Sequence, residues 1–256
     1  MVNELAALSS TKRFSNRVEN YVKYRPSYPA DIVPFFEHTL GLRTDQRIAD
    51  IGSGTGLFAE LLLQKGFCVT CIEPNIEMRK AAEDKLGHYI GFSSRKHRAE
   101  HTGLRSSSAD LITVAQAFHW MDPVATKIEF QRILKPGGHI VLAWNIRKTD
   151  TPFLIAYDIL KQQFSIDQQK PPDRINEDIM RTFMEPDLMK FHSFNNTQFL
   201  NFDALKGQLL SASYIPLPGH ESYDAMISAL VKLFVDFNEN GSVKMDYETM
   251  LYYNGQ

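Results

Sequence analysis

The chain has 256 residues, 43% of them hydrophobic, and a formal net charge of −2. That length can bury a full core, and the near-neutral balance offers no basic excess for nucleic acid or an anionic membrane surface, so neither is expected as a partner. No apolar run approaches the roughly 18 to 20 residues of a membrane helix, and the opening MVNELAALSSTKRF lacks the apolar centre of a signal peptide, which makes the cytoplasm the expected location.

In chain order, residues 1–46 read as an N-terminal cap segment whose YVKYRPSYP stretch is rich in aromatic and basic side chains. From Arg47 to Asn145 strand and helix patterns alternate. IADIG is a strand that runs through a glycine-rich turn into FAELLLQKG, where Phe58, Leu61 and Leu62 recur at helical spacing and Gly66 reads as the stop. FCVTCIE is a second strand, followed by the helix EMRKAAEDKL with Asn75 as its N-cap and Glu77 in its first turn. A weak third strand precedes RAEHTGL, ADLITVA is a fourth, PVATKIEFQRIL a helix, and HIVLAWN a fifth strand after the turn KPGG. Residues 146–190, broken by PPDR and EPDL, read as a helical cap insertion, and residues 191–256 as two late strands around a helix over Tyr223–Asn238. Repeated strand–helix alternation predicts a doubly wound α/β sheet in a single domain, with the first 46 residues and the insertion as caps over a site.

The two cysteines, Cys68 and Cys71, have the C-x-x-C spacing of redox and zinc sites. On a strand, residues three apart face opposite ways, so the spacing is read as structural. His97 and His101 stand four apart without helical periodicity, and no metal site is predicted.

The motif Asp50-Ile51-Gly52-Ser53-Gly54-Thr55-Gly56 ends a strand and opens a helix, where glycines let backbone approach a nucleotide-like ligand. A dinucleotide fingerprint would place a third glycine at position 57, which is Leu57 here, so the phosphate reading weakens. Glu73 closes the second strand about 20 residues downstream, where an acidic side chain holds a ribose diol, which favours a ligand with an unphosphorylated ribose.

Together ADIGSGTG, Glu73-Pro74, Ala99-Glu100, AQAFHW and LKPGGHIVLAWN resemble the class I S-adenosylmethionine-dependent methyltransferases. The leader YVKYRPSYP and the tail segments SASYIPLPG and GSVKMDYETMLYYNG resemble the type 11 small-molecule branch that includes trans-aconitate methyltransferase-like proteins. The resemblance implies a Rossmann-like sheet of seven strands, mostly parallel with the last antiparallel, and S-adenosylmethionine as cofactor. It further implies that Gly52, Ser53, Gly54, Thr55 and Gly56 line the methionine portion and that Asp50 orients the ammonium directly or through water. Glu73 and Pro74 would meet the ribose, Met78 the adenine face, Ala99 and Glu100, at the end of the third strand, the adenine edge, and Ala115 and Gln116 the region beneath the sulfonium. In this family the leader closes over the ligand, which implicates Tyr21 and Arg25.

Methyl transfer is an in-line displacement that a dry, aligned site can accelerate without a base when the acceptor is a carboxylate, whereas a hydroxyl gains from one. His119 follows the carboxyl end of the fourth strand and is either that base or, with Trp120, part of the acceptor wall. Tyr24, Tyr28 and Arg147 complete the expected acceptor side, and the guanidinium forks of Arg25 and Arg147 suit a carboxylate. The expected function is methyl transfer to a small molecule at a carboxylate or hydroxyl oxygen. A nicotinamide-dependent oxidoreductase and a catalytically silent cofactor-binding regulator remain as alternatives, and the sequence does not reveal the oligomeric state.

Overall fold

The computed structural model describes residues 22–166, 177–185 and 188–254. Its centre is a seven-stranded sheet in the order β3-β2-β1-β4-β5-β7-β6. The strands are β1 (Arg47–Ile51), β2 (Cys68–Ile72), β3 (Phe92–Arg95), β4 (Ala109–Ala115), β5 (Leu134–Arg147), β6 (Met189–Leu200) and β7 (Val243–Asn254). β1 to β5 pair in parallel, and β7 runs antiparallel between β5 and β6. The seven strands and the antiparallel last strand match the expectation, as do the two late strands that extend the sheet. β1 pairs with β2 on one side and β4 on the other, so the strand order reverses there and a crevice opens beyond its carboxyl end.

Around the sheet lie α1 (Ile32–Thr39), α2 (Leu57–Leu63), α3 (Ile76–Leu86), α4 (Pro123–Ile133), α5 (Pro152–Gln163), α6 (Glu177–Met184), α7 (Phe202–Leu210) and α8 (Tyr223–Phe237). Their starts follow local chemistry. Asn75 Oδ1 accepts the Met78 N–H at 2.8 Å to open α3, and Asp122 Oδ1 accepts the Val124 and Ala125 N–H groups ahead of Pro123 to open α4. Thr151 before Pro152 and Asn201 before α7 do the same. The helix α7 lies within the tail and has no counterpart among the predicted elements. No helix among the described residues is long and apolar enough to cross a membrane.

Because β1 is covered on both faces, its residues from Ile48 to Ile51 are all buried instead of alternating. One face packs Ile48, Val69, Leu111, Val141 and Ala143 against Ile32 and Phe36 of α1 and Phe58 and Leu62 of α2. The other packs Ile51, Ile112, Val114, Leu142 and Trp144 against Phe130 of α4 and Met180 and Phe183 of α6. A third cluster gathers α5, α7 and α8 on Leu200, Val243, Met245 and Tyr247, at one end of the β6–β7 pair. Phe58 is 2% exposed, and its truncation to alanine should cost roughly 3–5 kcal/mol.

Two expectations need correction. KPGG is not a turn ahead of the fifth strand but lies inside β5. Leu134 pairs with Ala109, and the next pair is His139 with Leu111, so the chain between bulges over Asp110. Gly137 takes φ +74 in this bulge, and Lys135 closes it with an ion pair to Asp110 at 2.8 Å. Ala99 and Glu100 do not end β3, which stops at Arg95, but belong to the loop beyond it. Tyr21, PPDR, Pro186 and Asp187 lie outside the described residues. Cys68 is exposed and Cys71 buried, as opposite faces of a strand require.

Candidate functional site

A cavity opens where β1 ends, lined by Tyr28, the loop from Gly52 to Thr55, Leu57 and Phe58, the Glu73–Asn75 turn, Met78, Arg98 to Glu100, Ala115 to Ala117, Trp120 and Met121. It holds about 1020 Å³ of empty space, its open mouth included. The glycines serve different ends. Gly52 has φ +67, and a Cβ there would lie 2.7 Å from the Ala117 Cβ, so it permits the close approach of two cavity walls. At Gly54 a Cβ would meet no described atom within 4 Å, but φ +56 favours glycine on conformational grounds. Gly56 does not line the cavity; a Cβ there would collide with Leu86, so it seats α2 against α3.

The loop spends its own donors internally. The N–H groups of Gly52 and Ser53 both reach the Ile72 carbonyl, at 2.8 and 3.2 Å, and Gly56 N–H reaches the Ser53 carbonyl at 2.9 Å. Gly54 N–H donates to Glu73 Oε2 at 2.9 Å, while Glu73 Oε1 accepts the Asn75 N–H at 2.8 Å. Burial raises the Glu73 carboxyl above the usual range, and these two N–H groups and the Arg79 charge oppose that rise. Opposite, Gln116 holds φ +58, uncommon for a side-chain-bearing residue, its N–H bonded to the Ala143 carbonyl and its Nε2 to the Asn145 carbonyl. Glu100 Oε1 accepts the Asp122 N–H at 3.0 Å and so ties this wall to the start of α4.

Residues 49–142 match a family described as "Methyltransferase domain". An uncharacterized methyltransferase of Mycobacterium bovis is 33% identical over 134 residues, 52% of each chain. An uncharacterized methyltransferase-like protein of Schizosaccharomyces pombe is 23% identical over 94% of each chain. A solved structure named for a type II methyltransferase of Anaeromyxobacter dehalogenans superposes with TM-score 0.68 at 21% identity, over 91% of this chain and 98% of that one. Residues 49–142 are thus similar to a methyltransferase domain, and the fold is that of the solved methyltransferase structure. The chain spans about half the length of the first curated relatives it matches.

Several expected residues stand behind the cavity wall. Asp50 lies beneath the glycine loop, fully buried, and accepts the Thr113 hydroxyl at 2.8 Å. Burial pushes its carboxyl up to about 7, with Glu73 adding to the rise and the Thr113 bond opposing it. His119 and Trp120 divide, although both sit on the 3-10 turn Phe118–Trp120. Trp120 lines the cavity, whereas the His119 ring packs on Trp120 with centroids 4.9 Å apart and is not part of the lining. The turn is anchored by Phe118, buried edge-on against Phe183 of α6 at 4.7 Å.

The leader divides in the same way. Tyr28 lines the cavity and meets Phe58 edge-on at 4.9 Å. Tyr24 instead packs over Gly207, and Arg25 donates to the Ser211 carbonyl at 3.2 Å. Arg147 pairs with Asp158 and lies over the Tyr157 ring at 5.2 Å. Burial pushes the Tyr247 phenol up to about 12, opposed by the charges of Arg147 and Arg25, so both guanidiniums lie near that ring, and none of the three side chains lines the cavity. Sequence reasoning missed Asn145, buried at the end of β5, with Asn196 and Thr249 beside it. The available signal was a polar amide closing the apolar run IVLAW, since a buried amide needs named partners.

Proposed function

We propose that this domain binds S-adenosylmethionine in the cavity and transfers its methyl group to a small molecule, at a carboxylate or hydroxyl oxygen. The observation that carries this reading is where the glycine-loop donors go. A pyrophosphate-binding turn aims its N–H groups at the ligand; here those of Gly52, Ser53, Gly54 and Gly56 are taken up by Ile72, Glu73 and Ser53. What faces the cavity is instead a carboxylate, each oxygen of which has one N–H partner and retains acceptor capacity for a ribose hydroxyl. This favours a nucleoside over a dinucleotide, and so a methyl donor over the nicotinamide alternative.

The remaining residues fit such a ligand. Met78 and Ala99 offer apolar surface to a base, and Tyr28 and Trp120 offer aromatic faces to a cationic centre. Thr55 Oγ1 and Asp50 Oδ2 are buried polar atoms with no hydrogen-bond partner among the described residues, as a loop completed by ligand or water would leave them. Bound S-adenosylmethionine supplies an electrophilic methyl group on a cationic sulfur. The chain's task is to exclude water and hold the acceptor in line. His119, set behind Trp120, supports the wall role more than that of a base, which suits a carboxylate acceptor. Arg25 and Arg147 do not line the cavity; the Ser211 carbonyl and Asp158 hold them instead.

Incubation with methyl-labelled S-adenosylmethionine and a fractionated metabolite extract tests this. Label should enter small molecules, as base-labile esters from a carboxylate acceptor or as base-stable ethers from a hydroxyl. Label confined to protein or nucleic acid would refute the small-molecule acceptor.

A further inference from the structure

The leader crosses the sheet along a belt of side-chain amides between two apolar clusters. On one face of β5 and β7, Val141, Ala143, Leu251 and Tyr253 belong to the cluster under α1 and α2, while Tyr247 and Met245 belong to the cluster under α5, α7 and α8. Between them stand Asn145 and Thr249, paired across β5 and β7, with Asn196 from β6. These side chains are 5%, 0% and 8% exposed, so their polar atoms need partners inside the protein.

They converge on one backbone oxygen. The Ser27 carbonyl accepts from Asn196 Nδ2 at 2.7 Å and from Asn145 Nδ2 at 3.1 Å. Asn145 Oδ1 in turn accepts the Thr249 hydroxyl and the second Asn196 N–H, the latter at 3.3 Å, which fixes the amide so that its donor points at the leader. Ser27 lies between Pro26 and the Tyr28-Pro29 step, where ring-locked φ values and the restriction on residues before proline leave the chain few alternatives. Holding that one oxygen therefore orients the next side chain, Tyr28, which forms the cavity wall against Phe58. The Asn145 carbonyl also receives Gln116 Nε2 from the opposite wall.

Resting on the assignment of the cavity to S-adenosylmethionine, we propose that Asn196 and Asn145 are positioning residues for cofactor binding, acting through the Ser27 carbonyl to set Tyr28. The belt joins strands β5, β6 and β7 to the leader, so the last strands of the sheet serve the cofactor side as well as the fold.

The test is calorimetric titration of S-adenosylhomocysteine into the full chain and its Asn196→Ala, Tyr28→Ala and doubly substituted forms. Each single change should weaken binding by about tenfold, and the double form should be no weaker than the weaker single, because without the ring there is nothing left to position. Multiplying effects, or an Asn196→Ala affinity within about twofold of the parent, would overturn the proposal. Thr249→Val keeps the shape, removes the hydroxyl that orients Asn145, and should weaken binding about threefold with little loss of melting temperature. Unchanged affinity there also counts against the proposal. A parent chain that does not bind S-adenosylhomocysteine refutes the cofactor assignment instead, so the two failures are distinct.

Discussion

Glu73 Oε2 accepts the Gly54 N–H at 2.9 Å, so the carboxylate at the end of β2 fastens the glycine loop at the end of β1 while facing the cavity. One side chain therefore serves both loop and ligand, and its two roles separate on substitution. Glu73→Ala leaves the Gly54 and Asn75 N–H groups without their carboxylate and should lose about 1–3 kcal/mol of stability per group as well as ligand affinity. Glu73→Gln can keep only one acceptor oxygen, so one N–H is again unserved, and S-adenosylhomocysteine should bind at least about tenfold more weakly in calorimetry. A Gln form that binds as tightly as the parent contradicts the ribose assignment.

Asp50 gives a pH dependence of definite sign. Burial raises its folded-state pKa to about 7 from the ordinary 3.8, so between those values the folded chain holds a proton that the unfolded chain has released. Its contribution is fully present below pH 3.8 and lost as pH rises through 7. Asp50→Asn keeps an acceptor for Thr113 without the buried charge. Melting curves across pH should show the variant more stable than the parent at pH 8, with the gap closing toward pH 4. A constant gap, or one that widens in acid, contradicts the burial of an uncompensated carboxylate.

His119 and Trp120 should behave differently although they are neighbours. Trp120 lines the cavity, so Trp120→Ala should lower kcat/KM by about 10²-fold or more by removing an apolar wall. His119→Ala should lower it by only about tenfold, with an unchanged pH profile. A loss of several orders of magnitude for His119→Ala, with cofactor affinity intact, would make His119 the base.

Much of the parallel half of the sheet was legible because β1, β2 and β4 are short, mostly apolar runs and the helices after β2 and β4 announce their starts. Asn75 and Asp122 do so with side-chain oxygens aimed two or three residues ahead. Local chemistry of that kind is written within a few residues. Glu73, Met78 and Gln116 were placed by motif and do line the cavity. What failed depended on distant partners. Gly56 sits in a glycine motif yet answers to Leu86, and KPGG resembles a turn but is held in the strand by the Lys135–Asp110 pair. Asn145 finds Ser27 and Asn196 far away in sequence, and no local periodicity encodes that meeting.

The measurement closest to the central claim is a pair of calorimetric titrations of the same protein, one with S-adenosylhomocysteine and one with NAD⁺. The N–H donors of Gly52, Ser53, Gly54 and Gly56 are already taken up, and a carboxylate faces the cavity, so S-adenosylhomocysteine should bind with one site per chain while NAD⁺ gives no saturable heat. Saturable NAD⁺ binding with no response to S-adenosylhomocysteine would contradict the account.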